Sequence, residues 1–142
     1  MTQAAYDELA SYTLTHGDPA FIHQHVVDAF AAQHATATTK PITVAFALIG
    51  LYLHVERGFT GRQVQRAHMM LARRSRSWPI FPLPETRGTL TAAEVLAAPA
   101  GPARDRAISE WCASVWSAYA EIAPEVAALA REHGLDAWAP GD

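Results

Sequence analysis

The densest set of chemically capable side chains lies in one short run, Phe21-Ile22-His23-Gln24-His25-Val26-Val27-Asp28-Ala29-Phe30-Ala31-Ala32-Gln33-His34. Imidazoles, amides and a carboxylate at this density can ligate a divalent ion, move a proton, or hold a small polar molecule. Helical spacing sorts them. Ile22, Val26, Ala29 and Phe30 fall on one apolar stripe, with Gln33 inside it and His23 and His34 along its edge. Gln24, Asp28 and Ala31 lie on the other side. A helix facing water usually carries several Lys or Glu there, so this one is expected to be covered on most sides and Asp28 to be buried.

Buried Asp, Gln or His must be hydrogen-bonded or bound to something, because an unpaired polar group in the interior is costly. Two readings follow. In one, the helix carries a metal or small-ligand site with Asp28 as ligand or catalytic base, and His23, Gln24, Gln33 and His34 as binding groups. In the other, the same groups form an internal network that ties helices together. Spacing limits the metal reading. His23 and His34 are eleven residues apart, about 16 Å along a helix axis, and cannot share an ion. His25 and Asp28, at i and i+3, can. The outside ligands would be His54, after Leu51, and His68, between Val64 and Leu71. The candidate divalent-metal set is therefore His25, Asp28, His54 and His68, although no His-x-x-x-His or Glu-x-x-His pattern supports it.

The elements that must position these groups are punctuated by Gly and Pro. A first helix over about 2–15 should stop at His16-Gly17, and Asp18-Pro19 should start a second that runs to about Ala35. Pro41 opens a third, ending at Arg57-Gly58, and a fourth runs from Thr60 or Gly61 to about Ser75. Pro79, Pro82 and Pro84 make about 77–90 a Pro/aromatic-rich loop, a lid or a plug for one end of the molecule. Thr91-Ala92-Ala93-Glu94 is a capping box, with Leu90 and Val95 as its staple, before a short helix to about Ala98. The last long helix starts near Ala103. It carries the stripe Ile108, Trp111, Cys112, Val115, Tyr119, Ile122 and Val126, and Pro124 either kinks or restarts it. No strand alternation occurs. The expectation is an all-α, single-domain bundle of five to six helices over residues 1–142.

Composition narrows the class. Half of the residues are apolar and 18% charged, which suits a packed core and not a disordered tail. A net charge of −3 gives no overall attraction to nucleic acid. The uncharged run Pro41–Val55 is too short for a membrane span. Cys112 alone allows no intrachain disulfide and no cysteine zinc site, and no leader is visible at Met1-Thr2-Gln3, so a reducing cytoplasm is expected. Six of the eleven cationic side chains are Arg57, Arg62, Arg66, Arg73, Arg74 and Arg76. They give a second functional class: a non-catalytic module that takes a protein or anionic partner through the Arg-rich helix 61–76 and the Pro/aromatic loop. The plainer reading is a solvated helix face paired with acids from the C-terminal half. Self-association is left open by the sequence.

The run from His23 to His34 resembles the motif His-Gln-x-x-Val-Asp-Ala-Tyr-x-x-Gln-His of an uncharacterised family, "domain of unknown function 5946". Three later stretches are similar to it in the same order: Leu48-Ile49-Gly50-Leu51 leading to Glu56-Arg57-Gly58, Leu90-Thr91 before a short helix, and Trp111-Cys112-Ala113-Ser114-Val115-Trp116. The resemblance spans roughly residues 20 to 120. It brings no activity, but it implies His23, Gln24, Asp28, Gln33 and His34 as the positions of interest. The Cys-x-x-Cys segment that begins many members is absent here, and Ala47 stands where they often have a histidine.

Overall fold

The computed structural model describes residues 2–15, 20–74 and 77–138, and these form seven α-helices with no strand among them. In chain order they are α1 (Thr2–Thr15), α2 (His23–His34), α3 (Pro41–Val55), α4 (Gly61–Leu71), α5 (Ala92–Ala97), α6 (Pro102–Ala118) and α7 (Ala123–Glu132). The helix count exceeds the expected five to six because the last long helix is two. Its chain leaves the helix at Tyr119 and resumes with Pro124 in the first turn of α7, where its missing N–H is harmless. Pro124 restarts the helix. Gly134, at φ 78°, then follows the end of α7.

The second helix also begins later than expected, at His23 and not Pro19. Phe21 takes a left-handed φ of 57°, and Arg62 N–H at the start of α4 donates to the Ala20 carbonyl at 2.8 Å. A Cβ on Gly61 would overlap the Phe21 carbonyl oxygen. Gly61 is therefore what lets α4 start against the backbone that leads into α2. The stop at Gly17 and the cap at Asp18 lie outside the described residues. Two capping boxes are formed, the expected one at Thr91/Glu94 and another at Thr60/Gln63, which together satisfy donors at the starts of α5 and α4.

α2 and α3 form the centre. α2 packs against α1, α3, α4 and α6, while α3 also meets α4, α6 and α7. Nine of the ten residues from Val44 to Leu53 in α3 are buried, all but Phe46, so this helix is apolar nearly all round, as a helix enclosed by neighbours must be. The α6 stripe closes the core: Ile108, Trp111, Cys112 and Val115 are fully buried. In the Pro-rich stretch Phe81 is buried and Trp78 half-buried, whereas Ile80 stays 83% exposed. Trp78 meets Phe46 of α3 edge-on and stacks on His133 after α7. No helix is long and apolar enough to cross a membrane among the described residues.

Candidate functional site

Along the α2–α3 contact the polar side chains stand in two layers, one helical turn apart. In the first, His25 of α2 stacks on His54 of α3, ring centroids 3.5 Å apart and planes 19° from parallel. In the second, Asp28 lies against Gly50. A Cβ at Gly50 would overlap Asp28 Oδ2 and stand 2.7 Å from its Cγ and 3.2 Å from His68 Nε2. The pairings 25 with 54 and 28 with 50 make the helices antiparallel. Only glycine at position 50 leaves room for the carboxyl group.

Asp28 is 3% exposed. Its Oδ1 accepts a hydrogen bond from Gln24 Nε2 at 3.1 Å. Its Oδ2 is fully enclosed and has no hydrogen-bond partner among the described residues. Burial raises the Asp28 pKa well above the ordinary carboxylate value, with the Gln24 bond a smaller opposing effect. The neutral acid is thus favoured, with Oδ1 as the carbonyl oxygen and Oδ2 as a hydroxyl lacking an acceptor. Gln24 Nε2 also stands 3.4 Å from His68 Nδ1, and His68 Nε2 stands 2.8 Å from the Phe46 carbonyl oxygen. That carbonyl can only accept, so His68 carries its proton on Nε2 and offers a lone pair to Gln24. Burial pushes the His68 pKa down to about 4, against a smaller upward effect of the Phe46 bond.

His54 Nδ1 donates to the Phe59 carbonyl at 3.1 Å, which leaves Nε2 as a bare acceptor. Burial lowers the His54 pKa, and burial with the facing His54 lowers that of His25 to about 3. Neither ring nitrogen of His25 has a hydrogen-bond partner among the described residues. Both rings line a cavity of about 260 Å³ that also touches Ile22, Phe59, Thr60 and Ser109. Cys112 closes the seam from α6: its Sγ lies 3.6 Å from the His25 carbonyl. Burial, then the neighbouring Asp28, hold its thiol far above the ordinary range, so it is inert as a nucleophile.

The structure thus divides the four residues expected to share a metal. His25 pairs with His54, and Asp28 connects through Gln24 to His68. Two rings stacked face to face cannot both point an in-plane lone pair at one ion. Among the described residues no group of three or more His, Cys, Asp or Glu could hold a metal. The other expected binding residues also separate. His23 Nδ1 meets Thr13 Oγ1 at 3.0 Å. His34 is exposed and rests against Phe30. Gln33 has every amide group engaged away from Asp28: Nε2 donates to the carbonyls of Leu90 at 2.7 Å and Arg87 at 3.0 Å, and Oε1 accepts from Trp111 Nε1 at 3.0 Å. Gln33 does not orient Asp28.

Gly50 escaped the sequence reading as a site residue, though a glycine in the middle of a buried helix is itself a signal. Arg87 escaped too. It donates to the Gln33 and Ala35 carbonyls at the end of α2, and nothing in its local sequence announces that. A family described as "Family of unknown function (DUF5946)" matches residues 3–120 of the chain. No curated protein and no solved structure matches it.

Proposed function

The chain belongs to the DUF5946 family, whose function is unknown, and from that premise we propose that it binds a small, uncharged polar molecule in the seam between α2 and α3. The observation that carries this reading is Asp28 Oδ2, enclosed, unpartnered and given space by a glycine. Natural interiors seldom leave such an atom unsatisfied, and an exception marks a place where a ligand or an ordered water completes the bonding. The depressed imidazole pKa values and the raised carboxyl pKa keep the seam uncharged. It therefore offers imidazole lone pairs and a ring N–H in the cavity, with the enclosed Asp28 one turn behind its lining. A molecule with N–H or O–H donors for the lone pairs and a carbonyl-type acceptor for the ring N–H complements that set, and a cavity near 260 Å³ keeps it small. A divalent ion suits it less, because it would need an ionised carboxylate and converging lone pairs.

Should the bound molecule react, Asp28 and the imidazoles limit the chemistry to proton transfer. The test is titration with urea and acetamide, which carry the required donors and acceptor, followed on ¹⁵N-histidine side-chain resonances. Shifts at His25 and His54, with the His25 shift lost in His54→Phe, support the reading. Shifts confined to exposed His34, or unchanged by His54→Phe, would sink it.

A further inference from the structure

The outward side of α4 has a composition found nowhere else in the chain. Between Glu56 and Glu85 there is no Asp or Glu, and all six clustered arginines lie in that interval. Several of them are engaged within the fold: Arg57 pairs with Asp136 at 3.2 Å, Arg62 stands 5.7 Å over the Phe21 ring, and Arg74 donates to the His133 carbonyl at 2.8 Å. Arg76 lies outside the described residues. Arg66, Arg73 and Arg74 line a shallow groove of about 440 Å³ together with Met69 and Met70. Val64, Ala67 and Leu71 of the same helix are buried, so the groove occupies the opposite face. Positions 66, 69 and 70 follow the i, i+3, i+4 spacing of one helical side, and Arg73 follows two residues after the end of α4. At its centre Met69 is 56% exposed, a large apolar side chain left in water on an otherwise cationic surface.

We propose that this groove docks an acidic amphipathic peptide segment of another protein, laid along α4 with its apolar side chains on Met69 and Met70 and its carboxylates on the flanking arginines. Charge complementarity selects the sign of the partner. Arg66 on α4 and Arg73 just past its end flank the two methionines, so carboxylates at either end of an apolar stretch in the peptide can meet them. Arginine forks suit carboxylates in pairs. Methionine adapts its shape to varied apolar side chains, as surfaces that bind amphipathic helices require. A bare polyanion would leave the methionine centre unused.

The test uses fluorescence anisotropy of the whole chain with a labelled peptide repeating Glu-Ala-Ala-Leu-Leu-Ala-Ala-Glu. Poly-glutamate and a single-stranded oligonucleotide serve as competitors. Binding should weaken roughly tenfold in Arg66→Gln/Arg73→Gln and severalfold in Met69→Gln, and it should fall with added salt. Both variants alter outward-facing side chains, and matching thermal melts would show that the fold is intact. Peptide binding that is absent, or unchanged in both variants, overturns the proposal. So does an oligonucleotide or poly-glutamate that binds as tightly as the peptide.

Discussion

The two ends of α2 are built from the same residue types and treated in opposite ways. At the C-terminal end every polar demand is met from elsewhere in the chain. Gln33 bonds to Leu90, Arg87 and Trp111, the Ala32 carbonyl accepts from Tyr119 Oη at 2.5 Å, and Arg87 covers the Gln33 and Ala35 carbonyls. Such carbonyls would otherwise be left unpaired at a helix terminus. Toward the N-terminal end, Asp28 Oδ2 has no partner among the described residues, and the His25 ring faces the cavity beside His54. One end is a joint and the other is a vacancy in the hydrogen bonding. Polar residue type therefore does not distinguish structure from function within this motif; completeness of pairing does.

Acid should separate the two ends most strongly. His25 and His68 have pKa values near 3 and 4 in the fold, against 6.5 for the unperturbed group. Their folded pKa values are depressed, so the stability they contribute is complete above pH 6.5 and is lost as pH falls toward 4. Asp28 has the opposite sign. Its raised pKa means that the folded state keeps a proton that the unfolded chain gives up above 3.8, so its contribution grows as pH falls. His54, His23 and His34 are lowered as well, so five imidazoles act against one carboxyl and the fold should lose stability between pH 6.5 and 4. Urea melts across that range should record it; a flat profile would mean that the histidine end is solvated after all.

Gly50→Ala should come close behind. The added methyl group meets Asp28, and the overpacking should destabilise by about 3 kcal/mol, outweighing the roughly 1 kcal/mol that alanine gains as a helix former. Adding Asp28→Ala should recover more than half of the loss, since it empties the space the methyl needs. If the double variant is no better than the single one, Gly50 is not there for Asp28. Gln33→Ala tests the other end. It strands the Trp111 N–H and two carbonyls, for a loss of about 2 kcal/mol by thermal melt, while the response of His25 and His54 to urea and acetamide should persist. Tyr119→Phe removes one bond to Ala32 and should lose about 1 kcal/mol. The smallest effect belongs to Asp28→Asn, within about 1 kcal/mol of wild type in either direction, because a neutral amide replaces a neutral acid. A loss of several kcal/mol would reveal a cationic partner for Asp28 and close the vacancy.

Much of this was readable in the residues, for identifiable reasons. Glycine and proline placed the ends of α3 and α5, and the 3.6-residue stripe from Ile108 to Tyr119 placed the α6 core, because those signals are local. The burial of Asp28 followed from the absence of Lys and Glu around it on α2. What could not be read was which partner each polar group takes, since those partners lie far along the chain. Gln33 to Leu90 spans 57 positions, and Gln24 to His68 spans 44. Helical phase puts His25 and Asp28 on neighbouring turns, but it cannot say that His54 would lie flat against one ring while His68 served the other layer.

The bond from Tyr119 to Ala32 joins residues 87 positions apart, and the one from Trp111 to Gln33 joins residues 78 apart. Translated into time, the C-terminal joint of α2 must wait. At about 5–20 residues per second, synthesis takes roughly 4 to 17 seconds to travel from Ala32 to Tyr119. During that interval α2 can meet α1, α3 and α4, and Arg87 can reach the Gln33 and Ala35 carbonyls, while the Ala32 carbonyl still lacks Tyr119. The order of assembly on the ribosome is therefore written into the fold: the helices around the seam come together first, and the final joint is tied only when α6 emerges. Pulse proteolysis of stalled chains of increasing length would show this as protection at the end of α2 that becomes complete only in a late step, and complete protection before Trp111 leaves the ribosome would contradict it.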